Sequence, residues 1–307
     1  MTDKSSRLAA IDLGTNTFVL SVAEFTNSSF TLVHRETLGV AFGENSMQSG
    51  EISNAALKRA IEALNYFKSQ AANYACEKIV AVTTEVMRNA KNKEVVLNQL
   101  LSQTQIPVEM ISGIQEARRI ARAANYNLNL ANGALILDLG GGSVELIEIE
   151  NNAVQKLASF PLGVSRLLEL KQWSNPLSKE DIHELNNHFE AHCGDFLNSV
   201  NASIIIGTAG IFETIVQQIF TDLNAWNSPL DLDVLKVELL LECWMKSSYT
   251  DREVWTEVIQ VRRKSLHIAA TLVLWLMKKI KPNQVVATPY SLAEGVLLEQ
   301  FLTTRID

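Results

Sequence analysis

One short pattern occurs twice in the chain and limits what it can fold into. Ile11-Asp12-Leu13-Gly14-Thr15-Asn16-Thr17 returns as Leu137-Asp138-Leu139-Gly140-Gly141-Gly142-Ser143, with the two aspartates 126 positions apart. Each copy is an apolar run holding one carboxylate, followed by small residues and a hydroxyl. Short apolar runs bounded by turn residues make buried strands. Glycine directly after such a strand lets backbone N–H groups come close to a ligand. Two turns of this kind facing each other would form a cleft suited to a phosphate chain and a divalent cation, which points to an enzyme that handles phosphate.

The surroundings of the two copies also repeat. Residues 7–40 read as three strands, Leu8–Leu13, Phe18–Phe25 and Phe30–Arg35, the last after a Thr26-Asn27-Ser28-Ser29 turn. Ser53-Asn54 opens a helix whose apolar set Ala56, Leu57, Ala60, Ile61, Leu64 and Phe67 has a 3.6-residue period. A strand at Ile79–Thr83, a helix at Lys93–Leu101 and a strand at Val108–Ile111 are expected next. Ser112 and Gln115 fit a capping box for a helix running through Ala123. The polar stretch Asn125–Gly133 then breaks the pattern.

After that break the scheme restarts. Strands are expected at 134–139, 144–150 and 156–162, a helix around 179–200 and a strand at Ser203–Ile206, leading into a Gly207-Thr208-Ala209-Gly210 turn. Helices are expected at 211–222, 231–247, 251–279 and 291–303, with the strand Gln284–Ala287 before the last. Single cores rarely grow past ~250–300 residues, so 307 residues suit two domains. The expected division is 1–125 and 126–307, with a last helix able to pack back on the first domain. Each half reads as three antiparallel strands followed by alternating helices and strands, a repeat at the scale of a domain. The glycine turns lie between two strands, and neither G-x-G-x-x-G nor G-x-x-x-x-G-K-[ST] is present. A dinucleotide fingerprint or a P-loop would need one of those spacings in a strand-to-helix turn.

Composition narrows the partners. Hydrophobic residues are 47% and charged residues 20%, ordinary for a soluble globular chain. A net charge of −7 and a pI near 5.4 argue against a broad basic surface for nucleic acid, while leaving room for a local basic groove. Cys76, Cys193 and Cys243 are widely spaced and form no CxxC, as reduced thiols of a cytosolic chain would. The first residues lack the apolar segment of a signal peptide. The apolar stretch Ile268–Met277 is too short to span a bilayer and reads as a buried helix. A cytoplasmic protein without nucleic-acid or membrane partners is the expectation.

Several residues carry candidate chemistry. Gly140, Gly141, Gly142 and Ser143 offer successive N–H donors and a hydroxyl, the makings of an anion nest. Thr15, Asn16 and Thr17 after Gly14 are the donors of the first copy. Asp138 and Glu145 flank the second turn, so across a hairpin their carboxylates could converge on Mg²⁺, which binds through one or two carboxylates plus phosphate oxygens and waters. Asp12 is the equivalent acid of the first copy, but Val19 replaces the second acid there, so the metal site is expected to be asymmetric. Glu148 and Glu150 read as solvated strand residues.

Arg88 could grip phosphate oxygens in a bidentate way or lie on the surface. Glu116 stands in the first turn of its helix, where the helix dipole alone stabilises an acid. The sharper role is a general base for water attacking a terminal phosphorus. His183, His188 and His192 share a helix but lack the glutamate of H-E-x-x-H, which disfavours a metal role. Arg262-Arg263-Lys264 fits a solvated helix face and a polyanion contact equally well.

Taken together these residues resemble the exopolyphosphatase/guanosine pentaphosphate phosphohydrolase family of the actin/Hsp70/sugar-kinase ATPase superfamily. The resemblance covers nearly the whole chain. It rests on Ala10–Phe18, Thr84…Arg88, Ile111–Arg118, Asp138–Glu145, Pro161–Leu167, Gly207–Gly210 and Ser291–Leu297. It implies an α/β fold of two ribonuclease-H-like, actin-like ATPase domains flanking an interdomain cleft. It also implies Mg²⁺-dependent release of terminal phosphate from polyphosphate or guanosine pentaphosphate. Glu116 maps onto the family's catalytic base, and Gly14–Thr17, Arg88, Gly140–Ser143, Gly207 and Gly210 onto its phosphate contacts. Asp138, Glu145 and Asp12 map onto its metal-associated acids.

The sequence departs from the family at three places. Gln115 replaces the first Glu of the base motif, Ala293 stands where many members have Arg, and Thr83 stands where Gly usually precedes Thr84. The missing arginine bears on substrate preference and long-chain affinity. The chain resembles short members without C-terminal helical domains, which implies a shorter substrate range, and such members often form homodimers. A kinase or ATPase of the same superfamily, and a non-catalytic alarmone or polyphosphate sensor, are the alternatives.

Overall fold

The computed structural model describes residues 5–26, 29–126, 128, 130, 133–220 and 226–303. Its contacts divide the chain into two compact units, one from Met1–Ala123 with Leu292–Asp307, the other from Ala124–Ser291.

The first unit is built on a five-stranded mixed sheet. Strands β1 (Ser6–Leu13), β2 (Thr17–Phe25) and β3 (Phe30–Gly39) form an antiparallel meander. A short helix α1 (Ser46–Ser49) and the long α2 (Asn54–Asn73) lead to β4 (Lys78–Thr83). Helices α3 (Glu85–Asn89) and α4 (Lys93–Thr104) precede β5 (Val108–Met110), which feeds α5 (Gly113–Tyr126). The order is β3-β2-β1-β4-β5, with β4 and β5 parallel to β1.

The caps form as their residue types require. Ser53 accepts the Ala56 N–H at 3.1 Å, and the buried face of α2 carries Ala56, Leu57, Ala60, Leu64 and Phe67. Ser112 and Gln115 complete the reciprocal capping box of α5, at 3.2 and 2.8 Å. The core of this unit holds Ile11, Leu13, Leu20, Leu64 and Phe67, with Phe18 meeting Phe42 edge-on at 5.4 Å.

The second unit repeats the plan. Strands β6 (Ala134–Leu139), β7 (Val144–Glu150) and β8 (Ala153–Phe160) form the antiparallel meander. Helices α6 (Val164–Glu169) and α7 (Lys179–Asn198) lead to β9 (Ile204–Thr208) and α8 (Ala209–Ile219). Then come β10 (Leu230–Leu232), α9 (Val234–Lys246), α10 (Tyr249–Glu253), α11 (Gln260–Arg263), α12 (Leu266–Ile280) and β11 (Gln284–Ala287). The sheet order is β10-β11-β9-β6-β7-β8, so β8-β7-β6-β9-β11 matches the first sheet and β10 is an added antiparallel edge. The chain finally returns to the first unit as α13 (Leu292–Thr303), which packs on β1 and β2.

The structure differs from the expected elements in places. The single helix expected at 251–279 is three helices, α10, α11 and α12, interrupted at 254–259. The Arg263 guanidinium crosses that interruption and donates to the carbonyls of Val258 and Glu253 at 2.8 and 2.7 Å, which supplies the backbone partners a continuous helix would have given. The helix expected at 231–247 starts only at Val234, capped by Asp233, because 230–232 joins the sheet edge. Residues 27–28 of the expected 26–29 turn lie outside the described residues. So do 221–222 of the expected helix 211–222, and 127, 129 and 131–132 of the polar stretch.

Helix α12 is apolar on all sides, as a fully buried helix must be, and no described helix is long and apolar enough to cross a membrane. It also buries His267, which is 4% exposed. Burial, aided by the Arg252 charge, pulls this imidazole down to about pKa 3, so the folded protein holds it neutral. An unfolded histidine protonates near pH 6.5. The stability contributed by the neutral ring is therefore present above that value and lost as pH falls from about 6.5 towards 3. Replacing His267→Leu is expected to flatten the fall in urea midpoint between pH 6.5 and 4.5, by up to ~1.4 kcal/mol per pH unit for one proton.

Candidate active site

Parallel neighbours bring the candidate residues to one end of each sheet. In the first unit Leu13, Thr83 and Met110 share a register across β1, β4 and β5, and the Thr83 hydroxyl donates to the Leu13 carbonyl at 3.2 Å. The Gly14–Thr17 turn, α3 with Arg88 and α5 with Glu116 all leave from that end. Open α/β sheets bind ligands beyond the carboxyl ends of their strands, where such loops gather.

The first turn is closed by Gly14 N–H donating to the Thr17 carbonyl at 3.2 Å. Its own carbonyls are used internally: Asn16 accepts from Val40 and Ala41 at 2.9 and 2.8 Å, and Thr15 accepts from Gly43 at 2.8 Å. Gly43 is needed here because a Cβ would come within 2.4 Å of the Thr15 methyl. Asp12 pairs across the ladders with Val19 and Val82, so it is a carboxylate flanked by valines.

Arg88 is half-buried, and the fold places it against Glu116. Its Nη1 donates to the Ile111 carbonyl at 2.8 Å and to Glu116 Oε2 at 3.1 Å. Glu116 is 7% exposed. A carboxylate withdrawn from water this far needs a counter-charge, and the guanidinium supplies it. Gln115, beside Glu116, is taken up by the cap of its own helix. Ala293 is buried, and Thr83 is spent on the sheet.

The second unit has the same end-of-sheet arrangement with different side chains. Gly140 N–H closes the turn on the Ser143 carbonyl at 3.0 Å. The register places Asp138 opposite Glu145 on β7 and beside Thr208 on β9. Directly opposed side chains lie on the same face of a sheet, so the two acids share one face. Asp138 Oδ2 accepts hydrogen bonds from Thr208 and, at 2.6 Å, from Ser291. Glu145 Oε1 accepts from Ser143 at 2.8 Å and Ser159 at 2.6 Å. Val19 and Val82 hold the corresponding places in the first unit.

The N-terminus of α6 grips the other side of this turn. Val164 N–H donates to Gly140 and Ser165 N–H to Gly141, at 3.1 and 2.8 Å. The carbonyls of Gly140 and Gly141 are thereby satisfied inside the protein.

Gly207 and Gly210 have packing reasons of their own. A Cβ on Gly207 would fall 2.1 Å from the Phe212 ring, and one on Gly210 2.6 Å from Arg262 Nε. Arg262 is neither on a solvated face nor a free polyanion contact: it is buried and paired with Glu213 at 2.5 Å. Glu148 is likewise no solvated residue. Strand β7 is covered on both faces, and Glu148 accepts the Asn201 N–H at 2.6 Å with Lys156 at 3.5 Å. His188 and His192 lie with ring centres 4.2 Å apart and planes tilted by 47°, and no group of three or more metal-capable side chains occurs among the described residues. Thr208, Ser159 and Ser291 complete the acid pair and were not singled out by sequence. Thr208 and Ser291 sit inside quoted motifs, whereas Ser159 carries no signal.

Two sheets with matching strand order, each ending in an acid and a tight turn, define the actin-like type of phosphate-handling fold. The chain belongs to the Ppx/GppA phosphatase family, whose signature matches residues 21–304. It is similar to exopolyphosphatase 1 of Mycobacterium leprae, 22% identical over 304 residues covering 96% of this chain and 89% of that one. Its structure resembles that of an exopolyphosphatase from Cytophaga hutchinsonii, with a TM-score of 0.91 and 26% identity over 97% of this chain and 98% of the other. The Ppx/GppA family member of Aquifex aeolicus shares the fold with a TM-score of 0.79 at 21% identity, over 98% and 99% of the two chains.

The turn of the second unit yields a direct test. A Cβ on Gly163 would lie 2.2–2.4 Å from backbone atoms of Gly141 and Gly142, which cannot rotate away. Gly163→Ala is expected to cost about 1–3 kcal/mol of stability as an overpacked site, read from the shift in denaturation midpoint.

Proposed function

We propose that the protein is a Mg²⁺-dependent hydrolase that releases terminal phosphate from inorganic polyphosphate and from guanosine pentaphosphate. The observation that carries this reading is the buried Glu116 held against Arg88 at the strand ends of the sheet that also carries the Gly14–Thr17 turn. The family and its exopolyphosphatase relatives support the polyphosphate part.

In this reading Glu116 removes a proton from the attacking water as its oxygen bonds to the terminal phosphorus. The bond to the bridging oxygen breaks, and the shortened chain leaves with that oxygen. Arg88 turns part of its fork towards the terminal phosphate, where a guanidinium matches phosphate geometry. The Gly14–Thr17 and Gly140–Ser143 turns receive phosphate oxygens through N–H groups other than those of Gly14 and Gly140, which close the turns. Positioning of this kind supplies much of the catalysis in phosphoryl transfer.

Asp138 and Glu145 fit a hard cation. Both offer oxygen only, they share a face, and each is oriented by two hydroxyls. Mg²⁺ keeps several waters and asks for one or two carboxylates rather than an all-protein cage. When bound, it would neutralise charge on the phosphate oxygens. Asp12, the equivalent acid of the first unit, would act on a cation through its waters.

Phosphate release from both substrates, with and without Mg²⁺, tests the reading. Chelation is expected to abolish release and Mg²⁺ to restore it. Glu116→Gln is expected to lower release by about 10²–10⁴-fold with an unchanged unfolding midpoint. Full activity in that variant, or tight binding without turnover in the unaltered protein, would overturn the proposal.

A further inference from the structure

Helix α13 has a glycine as its fourth residue, where alanine would be the better helix former. The reason lies in α5. A Cβ on Gly295 would stand 2.1 Å from the Arg119 carbonyl oxygen, 2.5 Å from its carbon and 3.1 Å from its Cα. The two helices therefore meet backbone to backbone, and the contact falls one turn after Glu116. One turn further along α13, Glu299 takes Arg119 Nε at 2.8 Å and Arg122 Nη1 at 3.2 Å. Arg119 also reaches Glu109 at the end of β5, at 3.5 Å.

Helix α13 is itself locked. Glu294 is 0% exposed, accepts the Ser21 hydroxyl from β2 and lies 3.4 Å from Arg35 Nε on β3. A charge buried this completely cannot slide to a new register without losing its partners. Ser21 stands opposite Ala10, two residues before Asp12 on β1.

We propose that α13 is the positioning element of the general base: Gly295 and Glu299 set where α5 lies, and Glu294 ties that setting to the sheet that carries the Gly14–Thr17 turn. The inference rests on Glu116 being the base. Gly295, Glu299 and Glu294 touch no substrate; they act through α5. A methyl group at 295 would push α5 outward and move the Glu116 carboxylate away from Arg88. Displacements of about 1 Å cost on the order of 10²-fold in rate when geometry is the source of catalysis.

The test is a double-mutant cycle between Gly295→Ala and Glu116→Gln, reading kcat, KM and the acid limb of kcat/KM. Gly295→Ala alone is expected to lower kcat by about 10²-fold, leave KM within about two-fold and move the acid limb. In the Glu116→Gln background the same change is expected to cost almost nothing, since no base remains to be misplaced. An equal loss in both backgrounds would overturn the positioning role. Full activity of Glu116→Gln alone would instead remove the base assignment on which the inference rests. If Gly295→Ala does not fold, Glu299→Gln in the same cycle gives the answer. It keeps shape while releasing Arg119 and Arg122, and additive losses there would overturn the proposal equally.

Discussion

Taking a carboxylate out of water is costly unless donors or a cation meet it, and this protein does so repeatedly. Glu116 meets Arg88, Asp138 meets Thr208 and Ser291, Glu145 meets Ser143 and Ser159, and Glu294 meets Ser21 and Arg35. Glu145 is met from its own hairpin neighbourhood, while the partners of the other three come from more distant stretches of chain and tie separate elements together. A site made this way is rigid before any ligand arrives. That is the condition under which charged and polar groups are worth most in catalysis.

The duplication shows how one scaffold supports two chemistries. Both units place an aspartate one residue before the end of the central strand and close the next turn with one N–H···O bond. Two substitutions separate them. Glu145 and Thr208 flank Asp138, where Val19 and Val82 flank Asp12. Hard oxygen donors thus gather in the second unit, while the first keeps an apolar surround for its acid and carries Glu116 and Arg88. The same backbone plan is used twice, and the two copies carry different side chains on it.

Much of this was legible in the residues. Period-two strands around the repeated Asp-Gly pattern, the 3.6-period face of α2 and the Ser112–Gln115 cap are local signals, and local signals survive folding. The opposition of Asp138 and Glu145 follows from a tight turn of fixed length, since turn length sets hairpin register. What was not legible depended on tertiary partners. The break at 254–259 is held by Arg263 reaching carbonyls from a later helix. Arg262 looked equally like surface and ligand contact because its partner Glu213 is 49 residues away. Glu148 looked solvated because alternation cannot reveal that both faces of β7 are covered. Ser159 joins the site only through the register of β8, which no motif encodes.

The return of α13 to the first unit makes the second an insertion within it. On the ribosome, residues 124–291 are all made before Leu292 appears, so the inserted unit has its complete sequence while the enclosing one still lacks a helix. Ser21 and Glu294, 273 positions apart, cannot meet until that late stage. Until then the sheet bearing Ser21 and Arg35 lacks the helix that packs on it. Domains usually mature in order of synthesis; here the lobe begun first is completed last, and a nascent chain of this protein is most in need of chaperone shelter at its oldest end.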